Sequence, residues 1–380
     1  MIAERPIREP ARALFFTADL GGNVHPIRAV AEALSRRGVV VELAGVEASG
    51  PDLSSVPFGP AAAISADGRR GWREFSALRR LMMGRGTSEA VRALVAERCA
   101  DVVAVDCMIP AVLRGALDSG VPVVALFHTF GGYWARPFDR GLLGMLFGAF
   151  GLRPSKLWAA AAARLLLTDP ELDPGRSLPE LAHCIWTGTT ELGAEPEPRS
   201  GRPRVLVALS SSDWPGMLPV YRRIIDALVQ VDADAVVTTG GVDLGGHLIG
   251  RANVEVCGWA PHAELLPGVD LLIGHGGHST TMKALAHGVP LLILPVNTTA
   301  DQRCIGTAIE RAGLGRLLSK RASAPAIRRT VEAMLADEAL HARATDTARR
   351  LRDMPRGAET AADHIWAVGD DACRGDRVSG

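Results

Sequence analysis

With 380 residues, the chain is long enough for two domains of ordinary size, each burying its own core. Its 47% hydrophobic and 22% charged residues are those of a soluble globular protein, and 42 Lys plus Arg against 42 Asp plus Glu leave no net charge to attract nucleic acid. Six cysteines without a CxxC pair indicate neither a zinc site nor a disulfide framework and suit reduced thiols in a cytoplasmic protein.

The opening "MIAERPIREPAR" is charged and proline-broken, without the apolar core of a signal peptide, and no run reaches the roughly 18 apolar residues of a membrane span. Apolar, β-branched runs then alternate with segments of helical period, which predicts parallel βαβ units. Strands are predicted at Ala13–Thr17, Val39–Val46, Val102–Asp106, Val121–Phe127, Leu165–Thr168 and Ile185–Gly188. Between the first two lies "LGGNVHPIRAVAEAL", where a glycine pair, Asn23 and His25 precede a helix. Residues 59–90 have little period. Residues 130–158 collect aromatic and apolar side chains outside any strand, and read either as a core-covering helix or as a hydrophobic substrate pocket.

A proline- and charge-rich stretch at 189–204 interrupts the pattern as an inter-domain linker would. The alternation restarts with strands predicted at Val205–Ser210, Ala235–Thr239, Val254–Gly258, Leu271–Gly274 and Pro290–Pro295. The expected organisation is therefore a first domain over 1–190, a linker over 191–204, a second domain over 205–350 and a helical tail over 351–380. Whether the tail packs back on the first domain is open. Both domains are expected to be doubly wound α/β, Rossmann-like units facing each other across a cleft, with a ligand at the carboxyl ends of their strands.

The stretch "LLIGHGGHSTTMKAL" reads as a strand, a glycine turn and a helix whose first turn offers free backbone N–H groups to an anion. Gly276 and Gly277 would admit a phosphate closely, and His275 with Ser279 or Thr280 could donate to it. Alone, this pattern also fits a hydrogen-bonded histidine at a strand end. His262 and His278 read as surface or capping residues.

The wider block, from Trp259 and Pro261 through His275, Gly276 and Gly277 to Asp301 and Gln302, resembles the donor signature of the family 1 glycosyltransferases of the GT-B fold. Among them it is closest in character to bacterial enzymes of macrolide, enediyne and polyketide biosynthesis. The resemblance implies that Trp259 stacks on the donor's base and that His275, the glycine amides and Thr280 hold the diphosphate. It further implies that Asp301 and Gln302 read sugar hydroxyls, and that Ser211 and Ser212 lie on a loop reaching the diphosphate. Lys283 stands where many members carry a ribose-reading glutamate, which favours a dTDP donor over UDP. Helix-end amides and His275 meet the leaving charge, so neither a metal nor another cofactor is expected.

In the family's G-H-x-x-P turn a histidine takes the acceptor's proton; counted back from Pro26, its place is held by Asn23, which cannot act as a base. His25 is out of register and suits a helix cap. Asp106 matches the family's strand-end carboxylate. The expectation is that Asp106 takes the proton, that Asn23 orients the acceptor and that His25 shapes the turn, with His128 a further candidate. The implied activity is inverting transfer of a sugar, a deoxyhexose by preference, from a dTDP- or UDP-sugar to a hydrophobic small-molecule acceptor near Tyr133 and Trp134. An O-glycoside is favoured over a C-glycoside, and the resemblance leaves room for a homodimer. The alternative is a nucleotide-binding accessory protein that has lost catalysis.

Overall fold

A computed structural model describes residues 11–48, 52–62, 64, 72–195, 201–211, 214–242, 244, 248–297 and 299–375. The first sheet is built from β1 (Arg12–Phe16), β2 (Val40–Ala44), β3 (Ser54–Val56), β4 (Val102–Asp106), β5 (Val123–Phe127), β6 (Ala163–Leu166) and β7 (Ile185–Trp186). The second contains β8 (Arg204–Ala208), β9 (Asp234–Thr238), β10 (Val254–Cys257), β11 (Leu271–Gly274), β12 (Leu291–Ile293) and β13 (Gly315–Leu317). Strand orders are β3-β2-β1-β4-β5-β6-β7 and β10-β9-β8-β11-β12-β13, and all pairings are parallel.

Strands covered by helices on both faces must be apolar at successive positions. The runs "VVAVD" and "VVALF" are buried throughout. Leu14 and Phe16 pack with Val103 and Val105 on one face of the first sheet, while Ala13 and Phe15 pack with Val102 and Ala104 on the other. In the second sheet Val205 and Val207 oppose Leu206 and Ala208 in the same alternating way.

Each sheet reverses its winding at one point, between β1 and β4 and between β8 and β11. At such a point the flanking loops diverge and open a crevice beyond the carboxyl ends of the strands. Asp106 ends β4, and His275 follows β11.

The tail returns to the first domain. Helix Gly357–Gly375 places Ala361, Ala362 and Ile365 in the core shared with Phe15, and Arg36 and Arg37 pair with Glu359 and Asp363 at 2.7 and 2.8 Å. Exposed ion pairs of this kind contribute at most about 1 kcal/mol, so the apolar seam fixes the helix. Before it, Arg350 grips buried Asp169 through two bonds of 2.8 and 2.7 Å.

The short strands Ser54–Val56 and Gly315–Leu317 were not predicted, because three residues at a sheet edge carry too little pattern of their own. The segment 59–90, expected to lack period, contains the helix Trp72–Met83. Residues 130–158 form three short helices, Gly131–Tyr133, Leu142–Ala149 and Pro154–Ala160, and a π-helical turn at Trp134–Phe138.

Candidate active site

One cavity of about 760 Å³ lies between the two switch points and is lined by both domains. Its first-domain end is apolar. Phe75, Leu78, Met82 and Met83 from helix Trp72–Met83 face Trp134, Phe138 and Phe147. Residues 130–158 thus serve both readings at once, since Trp134, Phe138 and Phe147 are core residues and also wall the cavity.

The second-domain end is polar. Helix His278–Ala286 begins without a side-chain cap, so the N–H groups of His278, Ser279 and Thr280 have no partner within the helix. The turn before it requires glycine: Gly276 has φ +88°, and a Cβ there would meet the Gln302 carbonyl oxygen at 2.8 Å. His275 lines the cavity, its buried Nδ1 lacks a protein hydrogen bond, and burial pushes its pKa down to about 4. It is therefore a neutral donor at physiological pH. Trp259 also lines the cavity and is 72% exposed, which removes the core-tryptophan reading and leaves a ring face open for stacking.

Ser211, Gly277, Ser279, Thr280, Asp301 and Gln302 share this wall; Ser212 lies outside the described residues. Burial raises the pKa of Asp301 against the opposing effects of Thr129 and His128. Two residues are less available than expected. Ser279 Oγ donates to Glu191 Oε1, so Thr280 is the freer hydroxyl for a phosphate. Gln302 Oε1 accepts from the backbone of Val296 and Asn297 at 2.8 and 2.9 Å, which shapes the sugar-side loop and leaves only its NH2 for a ligand.

The proton-transfer expectations need correction. Asn23 is fully buried: its Oδ1 accepts from Leu20 N, and its Nδ2 reaches the Ala18 carbonyl at 2.8 Å, Thr17 Oγ1 at 3.0 Å and Asp106 Oδ2 at 2.7 Å. An amide so occupied cannot orient an acceptor. Asp106 is also fully buried and does not line the cavity, so it cannot take the acceptor's proton directly. Burial opposes its ionisation, but His128, the Met108 N–H at 3.0 Å and Asn23 outweigh that and hold its pKa below the usual carboxylate range. His25 points elsewhere; it is 57% exposed, off the cavity, and 3.4 Å from Glu191.

Among the described residues, the titratable side chain that both faces Asp106 and lines the cavity is His128, one residue beyond β5. Its Nδ1 lies 3.3 Å from Asp106 Oδ1, close enough for an ion pair but short of a well-aligned hydrogen bond. Trp134 packs edge-on at 5.1 Å against its ring. Its Nδ1 is buried, so Nε2 is the nitrogen left for a ligand. Tyr133, on the same wall, donates its hydroxyl to the Thr299 carbonyl at 3.1 Å and ties the apolar end to the loop before Asp301.

Asp106, Cys107 and His128 each bring one potential metal donor within 4.8 Å. Burial and the neighbouring Asp106 raise the Cys107 pKa far above its ordinary value. Nor are His262 and His278 surface residues. His278 is buried, with Nε2 2.7 Å from Thr168 Oγ1 of the first domain and a pKa pushed by burial down to about 3. His262 meets Thr238 Oγ1 at 3.1 Å at the cavity edge.

Residues that sequence reasoning missed include Glu191 and the wall formed by Phe75, Leu78 and Met82. The i, i+3, i+7 spacing of the last three carries a helix signal. Nothing local marks Glu191, a linker carboxylate, as buried.

Over 95% of its length the chain superposes on the whole of the solved glycotransferase of kitacinnamycin, with TM-score 0.74 and 20% identity. The fold is GT-B. Within this GT-B chain, residues 222–366 match the family described as erythromycin biosynthesis protein CIII-like, C-terminal domain. Among curated relatives, the demethyllactenocin mycarosyltransferase of Streptomyces fradiae is 37% identical over 107 residues, 27% of this chain and 22% of its own length. The elloramycin glycosyltransferase of Streptomyces olivaceus is 32% identical over 190 residues, 48% of this chain and 47% of its own. The match thus spans about half or less of these relatives. Among the described residues, no helix is long and apolar enough to cross a membrane.

Proposed function

We propose that this GT-B chain transfers a sugar from a nucleoside-diphosphate donor to a hydroxyl of a hydrophobic small molecule, with His128 as the general base and Asp106 as the carboxylate that positions it. The observation that carries this reading is the placement of His128 on the wall between the apolar and polar ends of one cavity, backed by a buried anion. That placement supports transfer chemistry over a nucleotide-binding accessory role, and turnover of the donor is what separates the two.

In this mechanism the acceptor's hydroxyl proton passes to His128 Nε2 while its oxygen attacks the anomeric carbon. The bond to the diphosphate breaks, and its electron pair leaves with the nucleotide. Asp106 fixes the tautomer and stabilises the imidazolium that forms. The open amides of helix His278–Ala286, Thr280 and neutral His275 take up the charge on the departing diphosphate, so no metal is called for. A single displacement inverts the anomeric configuration.

A dTDP donor is favoured because Lys283 replaces the family's ribose-reading glutamate. Its partner carboxylate, Glu191, cannot substitute, being buried and occupied by Ser279, His25 and Lys283.

The test is a mass-spectrometric screen of dTDP- and UDP-sugars against polycyclic phenols and macrolactones, repeated with His128→Gln. The variant should lose about 10²–10⁴-fold in kcat while its dTDP affinity stays near that of the wild type. Full turnover by His128→Gln would remove it as the base, and an acid-stable carbon–carbon linkage in the product would replace the O-glycoside.

A further inference from the structure

Helix Leu142–Ala149 lies beside the apolar end of the cavity and is apolar on both its inner and outer faces. Phe147 is buried, Leu143 and Leu146 line the cavity, and Leu142, Met145 and, just past the helix, Phe150 face outward at 78%, 56% and 60% exposure. Large apolar side chains so exposed and contiguous mark an interaction surface.

Among the described residues, the unpaired charge on the elements packed against this helix is cationic. Residues 140–168 contain no Asp or Glu but include Arg140, Arg153, Lys156 and Arg164. Arg140 is paired with Glu180 and Arg153 with Asp139, whereas Arg136 and Lys156, on the elements packed against this helix, are exposed without an ion pair among the described residues. Exposed Arg79 stands at the cavity rim on the neighbouring helix.

We propose that this face rests on an anionic lipid surface, with Leu142, Met145 and Phe150 in the headgroup–acyl boundary and Arg136, Lys156 and Arg79 against the headgroups. A short apolar face ringed by cations is the arrangement that lies in a membrane interface without spanning it. A second copy of the chain fits less well, because a two-fold contact would bring the same cationic ring against itself. Continuity of the patch with the cavity through Leu143 and Leu146 adds a consequence: a lipophilic acceptor could pass from the hydrocarbon boundary into the cavity without crossing water. That consequence rests on the proposed transfer activity; lipid binding itself needs no turnover.

The experiment is flotation of the full chain with phosphatidylcholine vesicles, with and without phosphatidylglycerol, alongside sedimentation velocity of the free protein. The wild type should float with the anionic vesicles only. Leu142→Ser/Met145→Ser/Phe150→Ser should bind them about tenfold or more weakly, and Arg136→Gln/Lys156→Gln about fivefold more weakly per removed charge. These five positions do not line the cavity, so unchanged dTDP affinity reports an intact fold. The proposal is overturned if the wild type fails to float or if the triple variant floats equally well. A wild-type dimer that the triple substitution dissociates, with neither protein floating, would also overturn it and assign the patch to self-association.

Discussion

Replacing Asp106 with Asn changes one charge and almost no volume, so its consequences follow from the contacts around it. Oδ2 accepts from Asn23 at 2.7 Å and from Thr17 at 3.3 Å, while Oδ1 accepts from Met108 N at 3.0 Å and faces His128. Either orientation of the new amide sets its NH2 against a buried donor, Asn23 on one side or the Met108 N–H on the other. Losing one hydrogen bond to a charged group costs about 1.5–3 kcal/mol, and a stranded buried donor about 1–3 kcal/mol more. The variant should therefore be about 3–5 kcal/mol less stable, with Tm lower by roughly 10 °C. For catalysis, His128 loses the anion that fixes its tautomer, and kcat should fall about 10²–10⁴-fold. The informative assay is a double-mutant cycle at saturating donor and acceptor, run below each variant's Tm. If Asp106 acts only through His128, Asp106→Asn/His128→Gln will be no slower than the slower single variant. Multiplying losses, or wild-type kcat in folded Asp106→Asn, would refute the positioning role.

Two further outcomes follow from the polar end. Trp259→Ala should weaken dTDP binding by about 0.5–1.5 kcal/mol, or about 2–12-fold in Kd, with Tm unchanged because the ring is largely exposed; unaltered affinity in calorimetry would take the ring off the base. Burial opposes the ionisation of Glu191, yet His25, Lys283 and Ser279 bring its pKa from 4.5 down to about 2, a difference of about 3 kcal/mol in favour of the folded state. A depressed carboxylate stabilises above its unfolded pKa and stops doing so as pH falls through its folded one. The stability gap between wild type and Glu191→Gln in urea unfolding should therefore narrow from about pH 5 toward pH 2, and a constant gap would contradict this.

Much of this architecture was legible in the chain because parallel strands buried on both faces must be apolar throughout, so runs such as "VVAVD" and "LLIG" announce themselves locally. Glycine turns are equally local: the positive φ of Gly276 is written into "HGGH". What the sequence could not assign was proton traffic, because that depends on which side chains converge across the sheet and which of them reaches the cavity. Asn23, Asp106 and His128 lie at or beyond the carboxyl ends of three different strands, and from sequence the carboxylate was preferred to the imidazole. Folding ranks them by burial: packing closes Asn23 and Asp106 behind β1 and β4 and leaves only His128 at the wall. The same holds for Glu191, read as part of a solvated linker, which tertiary contact with Ser279 and Lys283 turns into a buried anion. Local pattern decides the elements because each element's hydrogen bonds and apolar faces are set by neighbours in the chain. The order in which side chains meet solvent is decided only when the two sheets and the returning tail helix close around them.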